Sequence, residues 1–137
     1  MMTRNDLLNA IIDDGITEVN IVYLDPKQQH KRDGAIAGFE ACRGKSDEEI
    51  LVLHEKAVFQ DGVNRGLNNV VFGHSDINNL KEYISLQDYW YHRYYTLQIE
   101  WVLNVLSAAY YNENKPVLIT PTVRGMIKAA NILGVKA

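Results

Sequence analysis

Residues 86–111 read LQDYWYHRYYTLQIEWVLNVLSAAYY, and this stretch decides the fold. Tyr89, Trp90, Tyr91, Tyr94, Tyr95, Leu97, Ile99, Trp101, Val102, Leu103, Val105, Leu106, Ala108 and Ala109 occupy every side of a helical wheel. A helix that is apolar all round must be enclosed by other protein elements rather than lie on a surface. The spacing therefore predicts an all-α domain, a mainly helical bundle around a central buried helix over about 86–111. His92, Arg93, Gln98, Glu100 and Asn104 interrupt the apolar run. It thus lacks the ~18 uncharged apolar residues that a membrane span needs.

Outward from that helix, the punctuation of further helices is legible. Thr3 is an N-cap with Asp6 at the third helical position, Leu7, Leu8, Ile11 and Ile12 form one stripe, and Gly15 is read as the stop. Thr17–Leu24 fits a strand or a short helix. Asp25-Pro26 opens a helix in which Pro takes the first position, where its missing N–H costs nothing, and Gln28 can close a capping box. That helix runs to about Arg43 and ends at Gly44. Ser46 with Glu49 is another capping box, opening a helix with Ile50, Leu53, Ala57 and Val58 inward and an end near Phe59-Gln60. Asp61–Gly73, rich in glycine and asparagine, reads as the main loop with a brief extended stretch at 69–72. Ser75 caps a helix with Ile77, Leu80 and Ile84 inward, which continues into the central helix or kinks at Ser85. Asn112–Thr120 is a connection. Pro121 begins the last helix, with a stripe of Val123, Met126, Ile127, Ala130 and Leu133 and a stop at Gly134. The alternative is an α+β fold with a small sheet from 19–23, 70–72 and 117–119.

At 137 residues and 15.6 kDa the chain is expected to be a single domain, 1–137, large enough for its own core. Hydrophobic residues make up 47% and charged residues 23%, which argues against global disorder. The N-terminus lacks the apolar stretch of a signal peptide, and the lone Cys42 excludes an internal disulfide. A cytoplasmic location is expected. Net charge is −3 with a pI near 5.8, so the basic footprint of a nucleic-acid binder is missing at the level of the whole chain. Only the clusters Lys27, His30, Lys31, Arg32 and Arg124, Lys128, Lys136 could meet phosphate. Plentiful asparagine, tyrosine and isoleucine are encoded by AT-rich codons, as in many phage genomes.

Gly34, Gly38 and Cys42, at i, i+4 and i+8, leave one helical face nearly bare of side chains and suited to close packing against the aromatic helix. Their alternative use, backbone approach to a ligand, lacks a nucleotide-binding fingerprint. Arg93, Glu100 and Asn104 fall on one side of the central helix, and Asp33, Glu40 and Arg43 fall on one side of another. Buried charges need partners, so these residues are expected to pair as a network registering two helices or to line a polar ligand site. General acid–base chemistry is a lesser option. His30, His54 and His74 lack metal-binding spacing, so neither metal nor cofactor is expected. Tyr89, Trp90, Tyr91, Tyr94 and Tyr95 serve as core, as the interface of a homodimer or higher homo-oligomer, or as a base-stacking surface.

Arg124-Gly-Met-Ile-Lys-Ala-Ala-Asn-Ile-Leu-Gly-Val135 resembles the first helix of a helix-turn-helix. The resemblance stops there, with no recognition helix after Val135, so the segment is expected to be an amphipathic closing helix. Asp33–Gly44 and Tyr89–Arg93, continuing to Ile99-Glu-Trp101, resemble small helical phage-encoded orphan proteins, a resemblance that implies an origin but no activity. The functional expectation is an interaction or regulatory protein, as a phage accessory factor acting on a host protein in the host cytoplasm would be. A small-molecule or nucleotide binder or enzyme using the polar stripe is the alternative, and a DNA-binding regulator comes third.

Overall fold

The computed structural model describes residues 2–72 and 85–134. Among them are five α-helices: α1 Arg4–Val22, α2 Gln29–Cys42, α3 Asp47–Phe72, α4 Leu86–Asn112 and α5 Val123–Leu133, with a 3-10 turn at Pro26–Gln28 before α2. No strand occurs among the described residues, so the sheet alternative is overturned. Residues 19–22 and 70–72 are helical, and 117–119 belong to the irregular connection before α5. The expected helix from Ser75 lies outside the described residues.

The expected central helix is α4, which packs against all four other helices. Every residue from Val102 to Ala109 is buried, as all-round apolarity requires. The N-terminal half departs from that expectation: Leu86 is 53% and Tyr91 40% exposed. Tyrosine and tryptophan tolerate a half-buried position because one end of the ring system can face water.

Helix α2 runs parallel to α4 in a register set by glycine. A Cβ at Gly34 would overlap the carbonyl oxygen of Tyr91, and one at Gly38 would overlap that of Tyr95. One further step along both helices is Cys42, fully buried as is Ile99. The bare stripe is therefore a helix-packing surface, as its spacing predicts. Helix α3 runs antiparallel to α4, as Asp61–Arg93 at one end and Asp47–Tyr110 at the other show.

Several caps occur as read from the sequence. Thr3 and Asp6 form a capping box, and Ser46 and Glu49 exchange the equivalent pair of bonds. Gly44 and Gly134 adopt φ of 72° and 71°, the left-handed conformation expected of helix stops. Gly15 does not stop α1. It is helical, and its missing side chain makes room for the Phe39 ring. Helix α3 likewise continues past Gln60 to Phe72 instead of entering a loop at Asp61. Side-chain pairs at i, i+4, Gln60–Asn64 and Asp61–Arg65, support it there.

The stripe expected on α5 is rotated. Val123 and Ile127 are 72% and 54% exposed, while Gly125 and Ala129 face inward. Asn104 of α4 sets this orientation, because its Oδ1 accepts from the Thr122 N–H at 3.1 Å and fills the space a side chain at position 125 would need.

Candidate functional site

The polar residues singled out in the sequence go to separate places. Arg93 donates to Oδ2 of Asp61 at 2.9 Å, and Asp61 is 2% exposed. Arg65 reaches the same oxygen at 3.2 Å, while Oδ1 of Asp61 is buried with no hydrogen-bond partner among the described residues. Glu100 is exposed, contrary to the expectation that it shares a buried network. Asn104 is buried but serves α5, accepting from both the Thr122 N–H and hydroxyl. Glu40 and Arg43 pair at 2.8 Å at the surface, and Arg43 also reaches Asp13 of α1 at 2.7 Å. Asp33 lies 3.8 Å from Arg32. The structure thus brings Glu40 and Arg43 together but joins neither them nor Asp33 to the α4 residues.

Three anchoring groups were not singled out in the sequence. Asp61 lies in α3, in a segment whose composition reads as a loop. Ser107 is fully buried, and its hydroxyl oxygen accepts from the Leu118 and Ile119 N–H groups at 3.2 and 3.0 Å, holding the connection before α5. Asp47, in the first turn of α3, takes Arg4 of α1 at 2.7 Å and the Tyr110 hydroxyl of α4 at 2.8 Å. Burial, reinforced by the bond to Asp47, pushes the Tyr110 phenol up to about 12.

One concave feature with binding chemistry is a groove of about 380 Å³ between α1, α4 and α5. Helix α1 contributes Gly15, Glu18, Val19 and Val22, and α4 contributes Tyr94, Leu97, Gln98 and Trp101. Both sets follow i, i+3, i+4, i+7 spacing, which puts each on one helical face. Tyr23, the buried Phe39 of α2 and Arg124 of α5 complete the lining.

Aromatic contacts stiffen this wall. The Tyr23 and Tyr94 rings meet edge to face at 5.5 Å, a favoured geometry. Burial, helped by Tyr94, pushes the Tyr23 phenol up to about 12, so it remains a hydrogen-bond donor near neutral pH. The Arg124 guanidinium lies over the Trp101 ring at 5.5 Å, and Lys31 of α2 lies 4.7 Å from the Trp90 ring centre and 5.6 Å from that of Tyr94. Glu18 is held by Lys128 at 2.6 Å, together with Asp14 at 2.7 Å. The groove therefore offers flat apolar faces, phenol and amide hydrogen bonds and cationic edges. Among the described residues, no group of three His, Cys, Asp or Glu side chains gathers to hold a metal.

Of the aromatic residues expected at an interface, Tyr94 lines the groove, Trp90 packs beside it and Tyr91 is partly exposed. Tyr89 meets Trp90 edge to face, whereas Tyr95 turns toward His92. The groove was not foreseen, because reading Gly15 as a helix stop broke the α1 face that lines it. The 15, 18, 19, 22 spacing was its sequence signal. Compared with protein-family models, with curated proteins and with solved structures, the chain matches none.

Proposed function

We propose that this chain is a small helical interaction protein that docks a segment of another protein in the α1–α4–α5 groove. The observation that supports this reading is the apolar surface beside the groove. Ile21, Val22 and Leu24, at the end of α1, are 64%, 66% and 74% exposed. Exposed apolar side chains grouped at the end of a helix that lines an aromatic groove are characteristic of interfaces. The segment resemblance noted above bears on a phage origin alone; a phage accessory factor acting on a host protein in the host cytoplasm is the form this proposal takes.

Site-specific photo-crosslinking in the cells that make the protein tests this reading. A benzophenone side chain at Val22 or Gln98 should trap a partner, whereas one at the exposed Lys115, beyond the C-terminal end of α4, should not. Trapping at Lys115 alone, or at none of these positions, would refute it.

A homodimer is the second reading, favoured by the outer face of α3, where Phe59 is 72% and Val63 41% exposed. An aromatic anchor of that kind is commonly covered at a subunit interface. A crosslink from Val63 at twice the mass of the chain would support it, and a monomer in light scattering would oppose it.

A further inference from the structure

The groove has cationic edges that no carboxylate answers among the described residues. Arg124 lies over Trp101, and Lys31 lies over Trp90 and Tyr94, yet neither takes part in an ion pair there. Glu18, the carboxylate in the lining, is already engaged by Lys128. Lys31 stands outside the lining itself, beside Tyr94, and its neighbour Arg32 is paired with Asp33 at 3.8 Å, so Lys31 and Arg124 are, among the described residues, the two cations next to the aromatic wall. Trp101 is seven residues beyond Tyr94, about 10 Å along the α4 axis, so the cations flank the aromatic wall rather than share one spot.

A cation resting on a ring face is partly desolvated but keeps its full charge, so it gains from an anion that arrives with an apolar partner. We infer that the groove selects an acidic peptide segment, whose apolar or aromatic residue packs on the Tyr94–Trp101 wall while flanking Asp or Glu side chains meet Lys31 and Arg124. This inference rests on the docking reading and adds the chemistry of the partner. A nucleic acid fits less well: a polyanion needs a track of phosphate-neutralising cations, and here two cations, Lys31 and Arg124, flank the aromatic wall.

Selection from a yeast-displayed random peptide library on the full chain tests this. Sequences with an apolar or aromatic residue flanked by acids should be enriched. Their affinity should fall at least about tenfold in Lys31→Glu/Arg124→Glu and weaken as salt rises. The same double variant should select basic flanks instead. Val22→Trp, a neutral change at an exposed position, should block the groove and abolish binding in either case. Neutral or basic peptides that bind the native chain and are lost in Val22→Trp would overturn the acidic specificity while leaving the docking reading intact. An absence of enrichment, or peptides indifferent to Val22→Trp, would overturn both. A single-stranded oligonucleotide that binds more tightly than any selected peptide, and is displaced by Val22→Trp, would overturn the assignment of a peptide ligand.

Discussion

Gly34 of α2 lies directly against the backbone carbonyl of Tyr91 in α4, with no room between them for a methyl group. Gly38 repeats the relationship with Tyr95 one turn later. Because the obstacle is backbone inside a packed helix pair, it cannot rotate aside. Gly34→Ala or Gly38→Ala should therefore destabilise the protein by about 1–3 kcal/mol through overpacking. Gly62 and Gly66 of α3 face open space, and alanine there should stabilise by up to about 1 kcal/mol by improving helix propensity. Urea denaturation of the four single variants measures both signs. Equal effects at all four positions would remove the close approach as the reason for the α2 glycines.

Asp61 places the main electrostatic sensitivity of the α3–α4 contact away from Glu100. Removing Arg93 leaves a carboxylate that is 2% exposed with only Arg65 on the same oxygen. Arg93→Ala should cost about 2–3 kcal/mol, the scale of a charge-assisted bond to a buried group. Glu100→Gln, at an exposed position, should stay within about 0.5 kcal/mol. The reverse ranking in chemical denaturation would place the helix-registering charge at Glu100 after all.

Asn104 and Ser107 moor α5 and its connection to α4. Ser107→Ala deprives the Leu118 and Ile119 N–H groups of their acceptor, and Asn104→Ala frees the Thr122 N–H and opens a gap beside Gly125. Each should cost about 1–3 kcal/mol. The loss should be local, so hydrogen exchange should show residues 115–133 losing protection while α2 and α4 retain theirs. Uniform loss across all helices would mean that α5 does not open independently.

The extent of α4 was legible because a sequence apolar on every side has few structural options. Caps were legible where the side-chain chemistry is local, as at Thr3, Ser46, Gly44 and Gly134. Gly15 and Asp61 were misread for one shared reason: their roles come from other helices. Gly15 receives Phe39, and Asp61 is compensated by Arg93, so a segment with the composition of a loop stays helical. The helical wheel places Glu100 beside Arg93 and Asn104, but whether a position on that wheel is covered depends on where neighbouring helices lie. Periodicity within one helix does not contain that information, and the groove was hidden for the same reason.

Cys42 provides a single-site probe of global opening. It is fully buried, and burial pushes its thiol up to about 12, so both access and thiolate content are low. In the native state, labelling by a thiol reagent such as DTNB should be far slower than in the urea-unfolded chain. Because Cys42 lies on the α2 face that packs on α4, Gly34→Ala and Gly38→Ala should accelerate labelling by about tenfold for each ~1.4 kcal/mol of stability lost. Fast labelling of the native protein would mean that this helix pair opens without unfolding.

His92 should leave a signature in the dependence of stability on pH. Burial holds its imidazole below the 6.5 of an unperturbed histidine, with the charge of Asp61 opposing the shift. In the unfolded chain the ring takes its proton near 6.5, and in the folded chain only at lower pH. Between those values the unfolded state binds more protons, so stability rises with pH. It is fully present above about 6.5 and is lost as pH falls toward the folded value. Glu40, held low mainly by Arg43, and Asp6 and Glu49, held low by bonds to Thr3 and Ser46, act with the same sign but only below the ordinary carboxylate range. The histidine window is therefore separable from theirs. The urea midpoint should decline between about pH 7 and pH 5 in the native sequence, and His92→Gln should flatten that interval while leaving the later acid loss in place. A variant that follows the native curve throughout would show that His92 does not carry the linkage.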